Sequence, residues 1–507
     1  MYTRFLSILV LGFSLLPFRT HAQDFVWTPG LQRSYADLQK LKLQAARQVL
    51  VKESSQNGIR IFLDDYADML ALVTSDDDRL FANMSDREDD RLEAIQALDS
   101  KSPWQRVMQA EVRLHWAFVK LKFGKELSAS WDVIRAYKLL TANQKKFPDF
   151  LPTYKSLGTL HIMVGSVPDN YVWVANLLGM RGNIKQGQQE LERAQQDANF
   201  GLEANLIDLM VRAYVLKFSD ADGRDLHRLI ADNRDNLLLH FFGATIEQKN
   251  GHSEQALAYL TTRPTSPAYQ SMPVIENILG DIYLQKGQYG TASSHFEQFL
   301  NTYKGQNFVK DSYYKLFLCH WLADGQNTRV PAFQPSDAKA RAFLQKVVTV
   351  GRTTVESDKA AQKFAEAYLK QGVSPNQNVL MRARLASDGG FTDSALAYLR
   401  PYNEARFLST AEKAEYNYRL GRIYQRRSDV DAAVPYFIRA LALSEAYDGG
   451  KEPLSFGATA ALQLGYIYQQ KNDRSRARSF FEKALSFKHH EYKNSIDNKA
   501  RAALSQL

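Results

Sequence analysis

From Leu31 to the C-terminus, apolar residues recur at intervals of three and four, broken by short polar turns, and no stretch alternates as a half-buried strand would. The pattern predicts an all-α chain. Leu31–Lys52 and Ile59–Val73 read as the first long helices. Asp76–Asp78 and Asp86–Asp90 bracket Leu80–Met84, and a helix from about Asp86 to Leu98 follows. Ser102 caps another, with Pro103 at the first position, where a missing N–H costs nothing. That helix carries Trp104, Val107, Val112, Trp116 and Val119. Tyr313–Trp321 is an aromatic helix, and Tyr492–Leu507 places Ile496, Ala500, Ala503 and Leu507 on one face, as a terminal capping helix would. Three interruptions stand out: Gly165-Ser166-Val167-Pro168, the loop Asp324–Asp337 with Gly325, Pro331 and Pro335, and Tyr447–Ser455 with Gly449, Gly450 and Pro453.

Within this pattern one set of positions repeats. Leu420, Gly421, Tyr424, Ala433, Phe437 and Ala440 share their offsets with Leu464, Gly465, Tyr468, Ala477, Phe481 and Ala484. A third copy is Leu279, Gly280, Tyr283, Ala292 and Phe296, with Phe299 in place of the last alanine. Glycine and alanine sit where two helix backbones approach closely, and a larger side chain there would overpack at roughly 1–3 kcal/mol. Tyr and Phe fill the space to the adjoining helix. The offsets are those of L-G-x-x-Y followed by A-x-x-x-F-x-x-A, so residues 273–300 and 411–489 resemble tetratricopeptide repeats (TPR). The resemblance implies helical hairpins stacked into a right-handed superhelix, an α-solenoid, because one such hairpin cannot bury its apolar face alone.

Weaker copies extend the frame. Ala136, Leu140 and Pro148 precede Tyr154, Leu157 and Gly158 at suitable offsets. Tyr171, Ala175, Leu178, Gly187, Leu191 and Ala194 fit a further frame, and so do Ala383, Ala386, Ala395 and Leu399 around a Gly389-Gly390 turn. Up to about residue 125 no repeat offsets are apparent. The expected organisation is a signal segment over 1–22, an N-terminal helical region over 23–125, and degenerate repeats over 126–300. A helical linker with degenerate repeats over 301–410 and a C-terminal repeat pair with its cap over 411–507 complete it. The 447–455 insert stretches the spacing from Gly421 to Gly465 to 44 residues, against about 34 in a plain repeat.

Arg4, the apolar run Phe5–Phe18 and Thr20-His21-Ala22 read as a secretory signal cleaved after Ala22. No cysteine follows that run, which argues against a lipoprotein anchor, and no later segment is apolar enough to span a bilayer. The expected address is therefore the exterior of the cytoplasm, periplasmic or outer-membrane associated. The formal charge of +9 falls to +7 once Arg4 and Arg19 are removed. That is a mild bias over a chain of this length, without the dense basic stripe of a nucleic-acid binder. The single cysteine, Cys319, allows no internal disulfide and reads as core packing.

Candidate chemistry is sparse. The acidic residues at 76–78 and 86–90 lack the spacing of a calcium loop and stand before helices, where capping and the macrodipole favour them. His489-His490-Glu491 has no further ligand group near it, and His115 and His161 read as packed histidines. H-E-x-x-H, G-x-S-x-G, Walker A, G-x-G-x-x-G and C-x-x-C motifs are absent, so no catalytic residue, metal ligand or cofactor is assigned. In a TPR superhelix the first helix of each pair lines the groove. Counted from the motif glycine, that face holds Glu415, Tyr418, Arg422, Gln425 and Arg426, then Leu462, Tyr466, Gln469 and Gln470. Tyr418, Arg422, Gln425, Arg426, Tyr466, Gln469 and Gln470 are the expected partner-binding residues. The Lys/Asn clamp by which some TPR domains grip a terminal carboxylate is replaced by Tyr418 and Arg422, then Leu462 and Tyr466. The segments FPDFLPTYKSLG, VGSVPDNYVW, GMRGNIKQG and YKNSIDNKARAAL resemble exported TPR proteins of Bacteroidota-type Gram-negative bacteria. A non-catalytic envelope scaffold that binds a protein or peptide is thus expected. The competing expectations are a SusD-like glycan-binding protein and an α-superhelical peptidoglycan-acting enzyme.

Overall fold

The computed structural model describes residues 24–166, 179–216, 218–323, 337–372, 374, 376–447, 454–488, 490, 492–504 and 507. The signal segment, Val167 and Pro168, Tyr171, Trp173, Ala175 and Leu178 lie outside the described residues. So do most of the 324–337 loop, the centre of the 447–455 insert, His489 and Glu491. Among the described residues all regular structure is helical, arranged as stacked hairpins of the TPR-like solenoid type. None of these helices is long and apolar enough to cross a membrane.

The three strong copies form as expected. Val274–Gln285 pairs with Tyr289–Thr302, Thr410–Arg426 with Val430–Glu445, and Ser455–Gln470 with Arg474–Ser486. In each, the first helix ends on a left-handed residue seven positions after the motif glycine: Gly287 (φ 73°), Ser428 (φ 62°) and Asn472 (φ 59°). The following N–H returns to a carbonyl five residues back, from Gln288 to Tyr283, Asp429 to Tyr424 and Asp473 to Tyr468, each at 2.9 Å. This is a Schellman stop, which satisfies orphan carbonyls and reverses the chain.

The same geometry recurs where the sequence pattern hides it. Leu31–Lys52 is not one helix. It divides into Pro29–Gln39 and Leu43–Leu50 around Leu41 at φ 64°, with Lys42 N–H bonded to Asp37 at 2.8 Å. Ser34 takes the glycine's place and donates to the Ala46 carbonyl at 3.2 Å, so this segment is itself a repeat-like hairpin. A second unpredicted hairpin straddles residue 125: Pro103–Lys122 pairs with Glu126–Lys146 through Ala117, Gly124 (φ 72°) and Ala129. Ala244, Gly251 and Ala256 follow the same scheme, and so does the expected frame of Ala383 and Ala395 around Gly390. Small residues at the first and last of these positions are buried in every copy.

The helix Ile184–Ala194 packs on Pro152–Gly165, so Gly187 faces Gly158. A Cβ on Gly158 would lie 2.8 Å from the Gly187 carbonyl oxygen, which explains why both positions are glycine. Gly58–Ser75, Asp78–Met84 and Arg87–Gln96 intervene between the first two hairpins. Buried ion pairs fasten this end: Asp68 meets Arg47 (2.6 Å), Arg87 (2.8 Å) and Arg91, while Lys155 meets Glu111 (2.8 Å) and Glu203 (3.2 Å).

Contacts distant in sequence close the solenoid on itself. Gln270 N–H donates to the Leu41 carbonyl at 2.7 Å, and Ser253 N–H to Gly389 at 3.2 Å. Buried Asp76 accepts from the Tyr303 hydroxyl (2.5 Å) and the Asn307 amide Nδ2 (3.0 Å). The last helix, Lys493–Leu504, reaches back to the end of Pro152–Gly165, where Asn498 Nδ2 donates to the Ser166 carbonyl at 3.3 Å.

Candidate functional site

The expected groove residues occupy the first helices of the C-terminal pair, Thr410–Arg426 and Ser455–Gln470. Ser409 starts the former with a full capping box: its hydroxyl accepts from Glu412 N–H while the Glu412 carboxylate accepts from the Ser409 N–H. The fixed start sets the rotation of every residue that follows. Tyr418 is half-buried, its ring 5.5 Å from Phe456 and 6.0 Å from Phe437. Arg419 lies over both Tyr418 and Phe456 and pairs with Glu415 at 2.9 Å.

Arg422 is the junction between the two repeats. Its Nη1 donates to Gln425 Oε1 at 2.6 Å and to Gln463 Oε1 at 2.9 Å. Gln463 was not among the expected residues, and nothing in its sequence context distinguishes it from other surface glutamines. Tyr466 meets Phe481 at 5.3 Å, and burial pushes its hydroxyl up to about 12. Gln469 is half-buried and Gln470 exposed. The structure therefore joins Arg422 and Gln425 directly and uses the Tyr418 and Tyr466 rings partly as core.

Leu462 is a correction. The repeat frame puts it in the groove, but it is 2% exposed and shares a cluster with Ile496 and Ala500 of the last helix. The capping helix lies across that part of the last repeat.

Arg426 ends its helix against a distant turn. Its guanidinium rests on the Cα of Gly251, where any side chain would collide with it. Burial and the neighbouring Arg422 charge hold Arg426 below its ordinary range, opposed by Asp388.

The remaining candidates are absorbed by structure. His115 Nδ1 is 2.7 Å from Asp65, and His161 Nδ1 is 2.6 Å from Glu190, both inside the packed core. Asp76 ends Gly58–Ser75, Asp77 caps Asp78–Met84 through Arg79 N–H at 2.9 Å, and Asp78 pairs with Arg352 at 2.6 Å. Cys319 is fully buried and its thiol is pushed up by burial. Among the described residues no group of three or more His, Cys, Asp or Glu is placed to hold a metal.

Residues 412–488 match the tetratricopeptide repeat family. The match spans both hairpins just described. No curated protein matches the chain. Among solved structures, a monomeric mutant of IFIT1 with Gppp-AAAA is 12% identical over 88% of this chain and 94% of its own, with a TM-score of 0.29. A human IFIT1 dimer with PPP-AAAA is 11% identical over 91% of this chain and 96% of its own, also with a TM-score of 0.29.

Proposed function

We propose that the protein is a non-catalytic scaffold whose TPR groove binds a protein or peptide, and that it works outside the cytoplasm in the cell envelope. The observation that carries the binding reading is the Arg422–Gln463 bond across adjacent first helices. It builds one surface from two repeats, on which Gln425, Gln463, Gln469 and Gln470 carry amides suited to peptide groups. Backing from the Tyr418–Phe456 and Tyr466–Phe481 ring pairs keeps that surface from collapsing. The envelope address rests on the apolar segment and small-x-small site before Gln23.

Photo-crosslinking tests the groove. A photoreactive residue at Gln469 or Gln470 should capture discrete protein adducts in the native cell, and the same residue at exposed Arg478 on the outer helix should not. Tyr418→Ala with Arg422→Ala should abolish the adducts. Equal capture from Arg478, or undiminished capture in the double variant, removes the groove as the site. N-terminal sequencing of the protein from fractionated cells tests the address: a chain beginning at Gln23 in the envelope fraction supports it, and an unprocessed cytoplasmic chain sinks it.

A further inference from the structure

Four cations from three distant stretches converge on the groove where the solenoid closes. Lys249 ends the helix Leu237–Asn250, two residues before Gly251, against which Arg426 lies. Lys499 follows Asn498, whose bond to Ser166 ties the last helix to the end of Pro152–Gly165. Arg422 stands one helical turn before Arg426 on the groove face. Among the described residues Lys249, Arg426 and Lys499 make no salt bridge; Lys249 lies over the Tyr214 ring at 6.0 Å, and Arg422 bonds the neutral Gln425 and Gln463. Lys499 is exposed to solvent, yet poor solvation and the charges of Lys249 and Arg422 hold its ammonium below the ordinary range. Of the carboxylates nearby, Glu247 pairs with His252 at 2.7 Å, and Asp388 pairs with Arg384 at 3.6 Å and offsets only part of the Arg426 charge.

We propose that these four residues bind the carboxylates of an acidic peptide segment. The proposal rests on the groove reading above and names its partner's chemistry. Like charges held near one another raise the free energy of the empty protein, as for Lys499 beside Lys249 and Arg422 and for Arg426 beside Arg422, and an anion that enters recovers it. Arginine forks match carboxylates in a bidentate fashion, and the flanking glutamine amides suit a peptide backbone. A nucleic-acid strand fits less well. Tyr418 and Tyr466 already pack against Phe456, Phe437 and Phe481, and four cations do not make a backbone-length stripe.

The test uses the full chain and fluorescence anisotropy with three labelled probes of equal length: an Asp/Glu-rich peptide, its Asn/Gln counterpart and single-stranded RNA. The acidic peptide should bind in a salt-sensitive manner, and about tenfold or more above the amide peptide. Lys249→Gln and Lys499→Gln, which break no hydrogen bond among the described residues, should each weaken it about tenfold. Lys499→Gln should also raise the melting temperature of the free protein, because it relieves the repulsion from Lys249 and Arg422. Loss of affinity through misfolding would lower it instead. Unchanged affinity in both lysine variants, equal binding of the amide peptide, no binding of the acidic peptide, or preference for RNA overturns the proposal. Amide-peptide binding that is lost in Tyr418→Ala would sink the charge assignment while leaving the groove reading intact. Failed crosslinking at Gln469 and Gln470 would sink the groove reading itself.

Discussion

Replacing Gly465 by alanine probes the packing rule on which each hairpin depends. A Cβ there would stand 2.5 Å from Cδ1 and 2.9 Å from Cζ of Phe481, where carbons prefer about 3.5–4.0 Å. Phe481 is 0% exposed and its ring already meets Tyr466, so its retreat would push on a second ring. Overpacking of this kind costs roughly 1–3 kcal/mol. Alanine recovers about 0.8–1.0 kcal/mol in helix propensity. The net expectation is a loss of up to about 2 kcal/mol. The loss should be smaller for Gly421→Ala, whose Cβ would lie no closer than 2.8 Å to Phe437. Phe481→Leu removes the obstructing ring carbons at its own cost in buried area, and in the Gly465→Ala background it also relieves the clash. The double variant should therefore be more stable than the sum of the singles by about 1 kcal/mol. Hydrogen exchange of amides in Ser455–Gln470 and Arg474–Ser486 reads this locally, which matters because stacked repeats need not unfold together. Additivity within about 0.5 kcal/mol would refute the close-approach account.

Three further outcomes follow from buried groups. Burial, with Asp132 adding to it and Lys120 at 2.5 Å opposing it, pushes the Glu88 carboxyl up to about 7. The folded chain thus holds that proton more tightly than the unfolded one, so its contribution is complete below about pH 4.5 and is lost as pH rises through 7. Urea midpoints at pH 5 and pH 8 should differ less in Glu88→Gln than in the parent; an equal difference would contradict this. Asp76→Ala leaves Tyr303 and Asn307 without their buried acceptor and keeps a left-handed backbone (φ 53°) under a Cβ, so a loss of about 3–5 kcal/mol is expected. Limited proteolysis should then cut around Tyr303–Val309, and a parental rate would count against it. Cys319 should resist a thiol reagent in the folded protein and react only as fast as the chain unfolds. Rapid labelling in native buffer would refute its burial.

The repeats that were legible in the sequence are those in which glycine and phenylalanine mark the two sides of one close contact, as at Gly421–Phe437 and Gly465–Phe481. The hairpin Pro29–Leu50 obeys the same offsets with Ser34, Leu41, Ala46 and Leu50, and there the pattern fails for a physical reason. A leucine at positive φ is disfavoured on its own, so a continuous apolar period reads as a continuous helix. Tertiary packing, with Leu41 fully buried and its carbonyl taken by Gln270, adds to the local Lys42–Asp37 bond in holding the turn. At Ala117–Gly124–Ala129 the turn glycine was visible but the small residue was alanine and the aromatic was Val133, neither of which stands out in a helical bundle.

The groove divides in the same way. Arg422 and Gln425 follow from helical offset alone, since they are three residues apart on one face. Leu462 occupies in the last repeat the place of half-exposed Tyr418 in the one before it, yet it is buried. The difference is the neighbour: Tyr418 is followed by another hairpin, Leu462 by the capping helix and its Ile496 and Ala500. The apolar face that made Lys493–Leu504 recognisable as a cap is therefore also what covers the groove position of the final repeat. Helical geometry then sets Lys499, between Ile496 and Ala500 in sequence, off that buried face, where the charges of Lys249 and Arg422 act on it. Local periodicity encodes the cap. The charge that the cap delivers depends on the closure of the whole solenoid, which no window of sequence contains.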